Sequence, residues 1–171
     1  AYLEHDFIMD MGNGNLCKDK FKDYLIQDYL YLKEYAKVYA MALVKCENIE
    51  QMKFCQNSIN GILEDESATH IWYLKNFGEK IEELEDYKIK EANENYTSYM
   101  KSIALTGDLL DTMVSVLPCA WSYYYIGKKL KETYKENLED NFYKSWIESY
   151  SCEGYEQVAR TSIEFVNTLS E

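Results

Sequence analysis

The residue pattern predicts an all-α protein, and three observations carry that reading. Apolar residues recur at three- and four-residue steps along most of the chain. No stretch sustains the period-two alternation of a strand. Helix breakers are scarce, with seven glycines and one proline in 171 residues. The length suits one domain that can bury a substantial core. A composition of 47% hydrophobic and 15% aromatic residues excludes a disordered chain.

The elements follow in order. The sequence enters on a helix already under way, then reaches a glycine-asparagine loop, Met11-Gly12-Asn13-Gly14-Asn15. A long helix is predicted from Lys18 to about Lys45. Its core stripe is Phe21, Leu25, Leu32, Tyr35, Ala36, Tyr39 and Leu43. A second helix is predicted from Ile49 to Phe77, with Phe54, Ile59, Ile62, Leu63, Tyr73, Leu74 and Phe77 inward. The acidic stretch from Glu79 to Glu94 reads as a connecting loop with a short turn. A third helix spans about Asn93 to Thr106, and Gly107 is its stop. Asp108 then caps a fourth, which runs to about Lys131. A fifth begins near Asp140 and carries Phe142, Trp146, Ile147 and Tyr150. A sixth, from Gly154 to about Leu169, carries Tyr155, Val158, Ile163, Phe165 and Val166. There is no internal repeat and no low-complexity tract.

Charge and composition exclude several functions. With 30 acidic against 18 basic residues the net charge is −12. No basic stripe exists to neutralise phosphates, so neither nucleic acid nor an anionic membrane is an expected partner. No apolar run approaches the roughly 20 residues of a membrane span. The five cysteines are odd in number and include no C-x-x-C pair, which predicts thiols in a reducing cytoplasm. Tyrosine is over-used, at 17 residues. Buried tyrosines bring apolar area together with a hydroxyl that needs a partner, which suits a greasy pocket able to hydrogen-bond.

Four groups of residues stand out chemically. The only proline, Pro118, precedes Cys119 inside an apolar, aromatic segment of helical period. Proline there costs about 3 kcal/mol, and distortions of this kind gather at functional sites. Cys119 is either a small core residue or a nucleophile, and nucleophilic use requires a polar neighbour for its proton. Asp28 falls on the apolar stripe between Leu25 and Leu32, with Tyr31 beside it. A carboxylate there needs a partner, which can be a tyrosine, a backbone group or an amino-substituted heterocycle. Glu66 and His70 share a helix side. Their spacing and a total of two histidines speak against a di-iron site and for a hydrogen-bonded core pair. The sets around Tyr29 to Tyr31 and Tyr123 to Tyr125 are core by default, although one tyrosine from each suits the flank of a planar ligand.

Taken together, these segments resemble the TenA (thiaminase II) family from His5 to about Leu169. His5-Asp6-Phe7 and Gly14-Asn15-Leu16 look like the family's opening pattern, with Asp6 in place of its proline. Gln27-Asp28 followed by Tyr31-Leu32 is similar to its Gln-Asp-x-x-Tyr-Leu helix. Glu64-Asp65-Glu66 with His70 matches Glu-x-Glu-x-x-x-His. The segment from Tyr96 to Met100 resembles the one upstream of the family's nucleophile. Leu117-Pro118-Cys119-Ala120-Trp121 with Tyr123, Tyr124, Ile126 and Gly127 is the most specific match. Tyr143, Trp146, Ile147 and Tyr150 close the set.

The resemblance implies a single heme-oxygenase-like domain over residues 1–171 and assembly as a homotetramer. It implies hydrolysis of thiamin or of its aminomethylpyrimidine breakdown product to a hydroxymethylpyrimidine in thiamin salvage, with no metal or organic cofactor. The alternative on the same fold is a non-catalytic pyrimidine-binding or regulatory protein. Cys119 would be the nucleophile that adds to the pyrimidine ring. Asp28 would bond the ring nitrogen and exocyclic amine. Tyr31 and Tyr123 would flank the ring, and Tyr96 and Tyr150 would bond the substrate and the surroundings of Cys119. The family's proton-donating glutamate lies on a further helix that no residue here matches, Glu164 and Glu171 included. Part of the first helix and that C-terminal helix are therefore expected outside residues 1–171.

Overall fold

The computed structural model describes residues 2–171, and the side chains of all of these except 65–67. The described residues form eight α-helices: α1 Asp6–Asn13, α2 Lys18–Leu43, α3 Ile49–Asn60, α4 Ser67–Asn76, α5 Glu91–Thr106, α6 Leu109–Thr133, α7 Lys144–Ser151 and α8 Glu153–Ser170. A π-helical turn, Gly61–Glu66, joins α3 to α4, and short 3₁₀ segments occupy Tyr2–Glu4 and Ile81–Asp86. No strand occurs among the described residues, in line with the all-α reading. The chain divides into two units, one of Ala1–Lys20 with Leu117–Glu171, the other Phe21–Val116.

The unit Phe21–Val116 is built on α2. Phe21, Leu25, Leu32, Tyr35, Val38, Tyr39 and Ala42 are all buried along it, at the spacing the sequence predicts. Phe21 meets Tyr73 of α4 edge to face at 5.1 Å. Leu84, fully buried, pins the 3₁₀ segment inside the acidic connection, and α5 starts at Glu91 rather than at Asn93. Salt bridges join Glu34 of α2 to Lys101 of α5 at 2.6 Å and to Lys37 at 2.6 Å. Gly107 ends α5, its N–H bonding Ile103 O at 2.8 Å. Asp108 caps α6 as expected: its Oδ1 accepts from the Asp111 N–H at 2.8 Å. Asp111 Oδ2 in turn accepts from the Asp108 N–H at 3.2 Å, a reciprocal capping box.

One predicted helix is broken. The segment from Ile49 to Phe77 changes pitch at Gly61–Glu66, where a wider turn rotates every later residue about the axis. Ile62 is buried, but Leu63, expected inward, is 52% exposed.

The unit that joins the two chain ends opens with α1, the helix on which the sequence enters; it starts at Asp6 and runs through Met11 to Asn13, into the predicted glycine-asparagine loop. His5 Nδ1 accepts from the Phe7 N–H at 3.2 Å and starts it. Gly14 ends it at φ 81, a conformation that favours glycine. Asn141 satisfies the last carbonyls: its Nδ2 donates to Met11 O at 3.0 Å and to Gly12 O at 2.9 Å. The Tyr143 hydroxyl donates to Leu16 O. These tasks hold residues 141–143 outside helical geometry, so α7 begins at Lys144, not near Asp140. Phe142, expected inward, is 41% exposed and lies under the Lys18 ammonium. Val158 of α8 is likewise exposed, and Ala159 and Ser162 are the buried positions of that helix.

Candidate active site

The carboxylate on the apolar stripe is buried, as its position demands, at 8% exposure. Its partners are side chains. The Tyr24 hydroxyl, one turn earlier on α2, donates to Asp28 Oδ2 at 3.2 Å. His70 of α4, fully buried, sets its Nε2 2.5 Å from the same oxygen. An ionised carboxylate only accepts, so Nε2 is the protonated nitrogen that donates. A tyrosine partner is what the sequence foresaw. The histidine was foreseen as the partner of Glu66, whose side chain lies outside the described residues.

A stack of three tyrosine rings, Tyr35, Tyr31 and Tyr96, continues from there within the same unit. Tyr31, buried, stacks on Tyr96 of α5 with centroids 5.9 Å apart and planes 6° from parallel. On its own helix it stacks on Tyr35 at 5.2 Å. The Tyr35 hydroxyl donates to Val116 O at 3.1 Å, and the Tyr96 hydroxyl reaches Ser115 O at 3.5 Å. Both carbonyls lie just before Pro118, where α6 runs on without a break. Pro118 has no N–H for the carbonyl four residues earlier, and its ring crowds that turn. The carbonyl that loses its helical donor this way is that of Val114, so the tyrosine hydroxyls meet its two successors, Ser115 and Val116, and fasten α2 and α5 to this turn of α6.

In the other unit Cys119 is buried on α6 at 7% exposure. Tyr123 follows one turn later, half-buried. Its ring lies 4.7 Å from that of Tyr150 of α7, and Trp146 and Tyr155 complete the aromatic surround of Tyr150. Gly127 makes this crossing possible. A Cβ at that position would stand 2.9 Å from the Tyr150 carbonyl carbon and from its Cβ. Real Cβ contacts do not come so close, so α6 and α7 approach here only because residue 127 has no side chain.

Asp28, Tyr31 and Tyr96 thus fall in one unit, and Cys119, Tyr123 and Tyr150 in the other. Ring contact brings together Tyr31 with Tyr96, and Tyr123 with Tyr150. Sequence reasoning did not see the donation of His70 to Asp28, the role of Tyr35 near Pro118, or Gly127 as a spacer. A glycine in mid-helix, at a cost of about 1 kcal/mol, was the available signal for the last. Among the described residues no three of His, Cys, Asp and Glu gather as metal ligands, and no helix is long and apolar enough to cross a membrane.

Comparison with known proteins bears on what this arrangement does. The model of the TENA/THI-4/PQQC family matches residues 1–171. An aminopyrimidine aminohydrolase of Helicobacter pylori is 35% identical over 168 residues, which are 98% of this chain and 77% of that protein. Another, of Halalkalibacterium halodurans, is 36% identical over 168 residues, 98% of this chain and 74% of that protein. A crystal structure from Silicibacter sp. TM1040, described as a TenA family transcription regulator, superposes with a TM-score of 0.90 at 28% identity. It covers 99% of this chain and 73% of that one.

Proposed function

This chain belongs to the TENA/THI-4/PQQC family, and from that membership we propose that it hydrolyses aminopyrimidines derived from thiamin, replacing an amine on the exocyclic methylene by hydroxyl. The observation that carries the reading is the relationship to two aminopyrimidine aminohydrolases along nearly the whole chain. In the reaction, Cys119 Sγ adds as thiolate to the pyrimidine ring, and the C–S bond turns the methylene substituent into a leaving group. The amine departs with a proton as ammonia, or as the thiazole when thiamin is the substrate. Water then adds to the methylene carbon and loses a proton, and the C–S bond breaks to restore the thiolate. The proton that the departing amine takes up is assigned, by the family resemblance, to a glutamate that none of residues 1–171 matches.

Asp28 accepts N–H bonds from the exocyclic amine and the protonated ring nitrogen. A carboxylate beside that nitrogen favours its protonated form, which makes the ring more electrophilic. The donations from Tyr24 and His70 to Oδ2 support this role, because they hold the carboxylate in one orientation. Tyr31 and Tyr123 flank the ring plane. Tyr96 and Tyr150 bond the substrate without bringing charge. Large exposed apolar side chains, among them Trp72, Tyr99, Leu105 and Val114, support assembly as a homotetramer. The reading places the work in thiamin salvage in the cytoplasm.

The test is product analysis. Incubation with the aminomethylpyrimidine releases ammonia and hydroxymethylpyrimidine in equal amounts. Binding of that compound without any product would instead favour a ligand-sensing protein, the reading that the description of the Silicibacter neighbour suggests.

A further inference from the structure

Two cysteines outside the site described above lie against each other. Cys46 sits in the link after α2, half-buried, and Cys55 lies on α3, fully buried. Their Sγ atoms are 3.7 Å apart. The Cys46 thiol donates to Ala42 O at 3.5 Å, so the Cys55 thiol is the donor between the two sulfurs. We propose that Cys46 and Cys55 are a dithiol site that takes up small disulfide oxidants and closes to an intramolecular disulfide.

The geometry sets the order of events. Of this pair only Cys46 is reachable from solvent. Burial pushes the Cys55 thiol up to about 12, with the charge and hydrogen bond of Cys46 adding to it, so Cys55 is the poorer first nucleophile. Cys46 therefore reacts first. Its thiolate attacks one sulfur of the small disulfide, that S–S bond breaks, and one small thiol leaves with the proton that Cys46 gave up. Cys55 then attacks Cys46 Sγ and gives its proton to the second departing small thiol. The protein loses two hydrogens and two electrons, and the small disulfide becomes two thiols. Bonding requires the sulfurs to close from 3.7 Å to about 2.05 Å, a movement that side-chain rotation at the half-buried Cys46 can supply. The product ties the α2–α3 link to the second turn of α3.

The experiment uses the whole protein with glutathione disulfide, quenched with an alkylating agent, then thiol counting after denaturation and peptide mass mapping. The expected result is a Cys46–Cys55 cross-linked peptide that accounts for two of the five thiols, free of glutathione and separate from any adduct on the exposed Cys17 and Cys152. In Cys55→Ser the reaction stops at the mixed disulfide on Cys46. In Cys46→Ser, which changes a half-buried residue and leaves the core intact, no cross-link forms. A stable glutathione adduct on Cys46 of the unaltered protein, or a cross-link between other cysteines in place of this one, would each overturn the proposal.

Discussion

Asp28 shows how one buried residue is both recognised and misread from sequence. Its place on an apolar stripe marks it, and Tyr24, four residues away on the same helix, is the partner that helical spacing offers. His70 is 42 residues away, and spacing within α4 could only relate it to its own neighbours. Buried polar pairs between helices depend on how helices dock, which no single-helix pattern encodes. The pair has a measurable consequence. Removing one partner of a buried, charge-assisted bond costs about 3 kcal/mol, because the other is left without compensation. Asp28→Asn and His70→Asn should each lower the unfolding free energy by that amount, read as a lower urea midpoint at unchanged slope. The double variant should cost less than the sum of the two, which a double-mutant cycle reads directly. Additive costs would show that the two side chains act independently. Asp28→Asn should also lose most of its affinity for the aminopyrimidine by calorimetry, and an unchanged affinity would remove the anchoring role.

At the scale of elements, helix existence was readable throughout and helix ends were not. α2, α5 and α6 fall within about two residues of the boundaries that apolar period, Gly107 and Asp108 predict. The errors lie where a side chain from elsewhere intervenes: Asn141 capping α1, Tyr143 held by Leu16, and a π turn in the middle of the second predicted helix. Gly127 gives this scale its clearest test. An exposed mid-helix glycine gains about 1 kcal/mol on change to alanine. At residue 127 the new methyl meets backbone of α7, and overpacking of that kind costs about 1–3 kcal/mol. Gly127→Ala should therefore lower the melting temperature and disturb Tyr150, whereas a rise would mean that α6 and α7 do not approach as described. The tie between α2 and α5 is tested by acid. Burial pushes the Glu34 carboxyl up, but the hydrogen bonds and charges of Lys101 and Lys37 outweigh it and bring it below its ordinary 4.5. A lowered folded value stabilises above the unfolded one and is lost as pH falls through the folded one. The stability advantage over Glu34→Gln should thus be present at pH 7 and fall away as pH drops from 4.5 through the lowered folded value, and an advantage that does not decline in acid would refute the pairing.

For the whole molecule, the sequence carried the fold class and the family, because both rest on many weak signals in a consistent order. The motif containing Pro118 and Cys119 was the strongest of these. The structure adds a physical reason for the glycine at its end, which lets α7 bring Tyr150 close to α6. The cysteine in that motif is the proposed nucleophile. The direct measurement compares Cys119→Ser with the unaltered protein for both turnover and equilibrium binding of the aminomethylpyrimidine. A hydroxyl replaces the thiol with little change in volume, so binding should stay within about threefold. Release of hydroxymethylpyrimidine should fall by roughly 10³-fold or more, as when a nucleophile is removed from an otherwise intact site. Turnover close to that of the unaltered protein would contradict the covalent mechanism and with it the role assigned to Cys119.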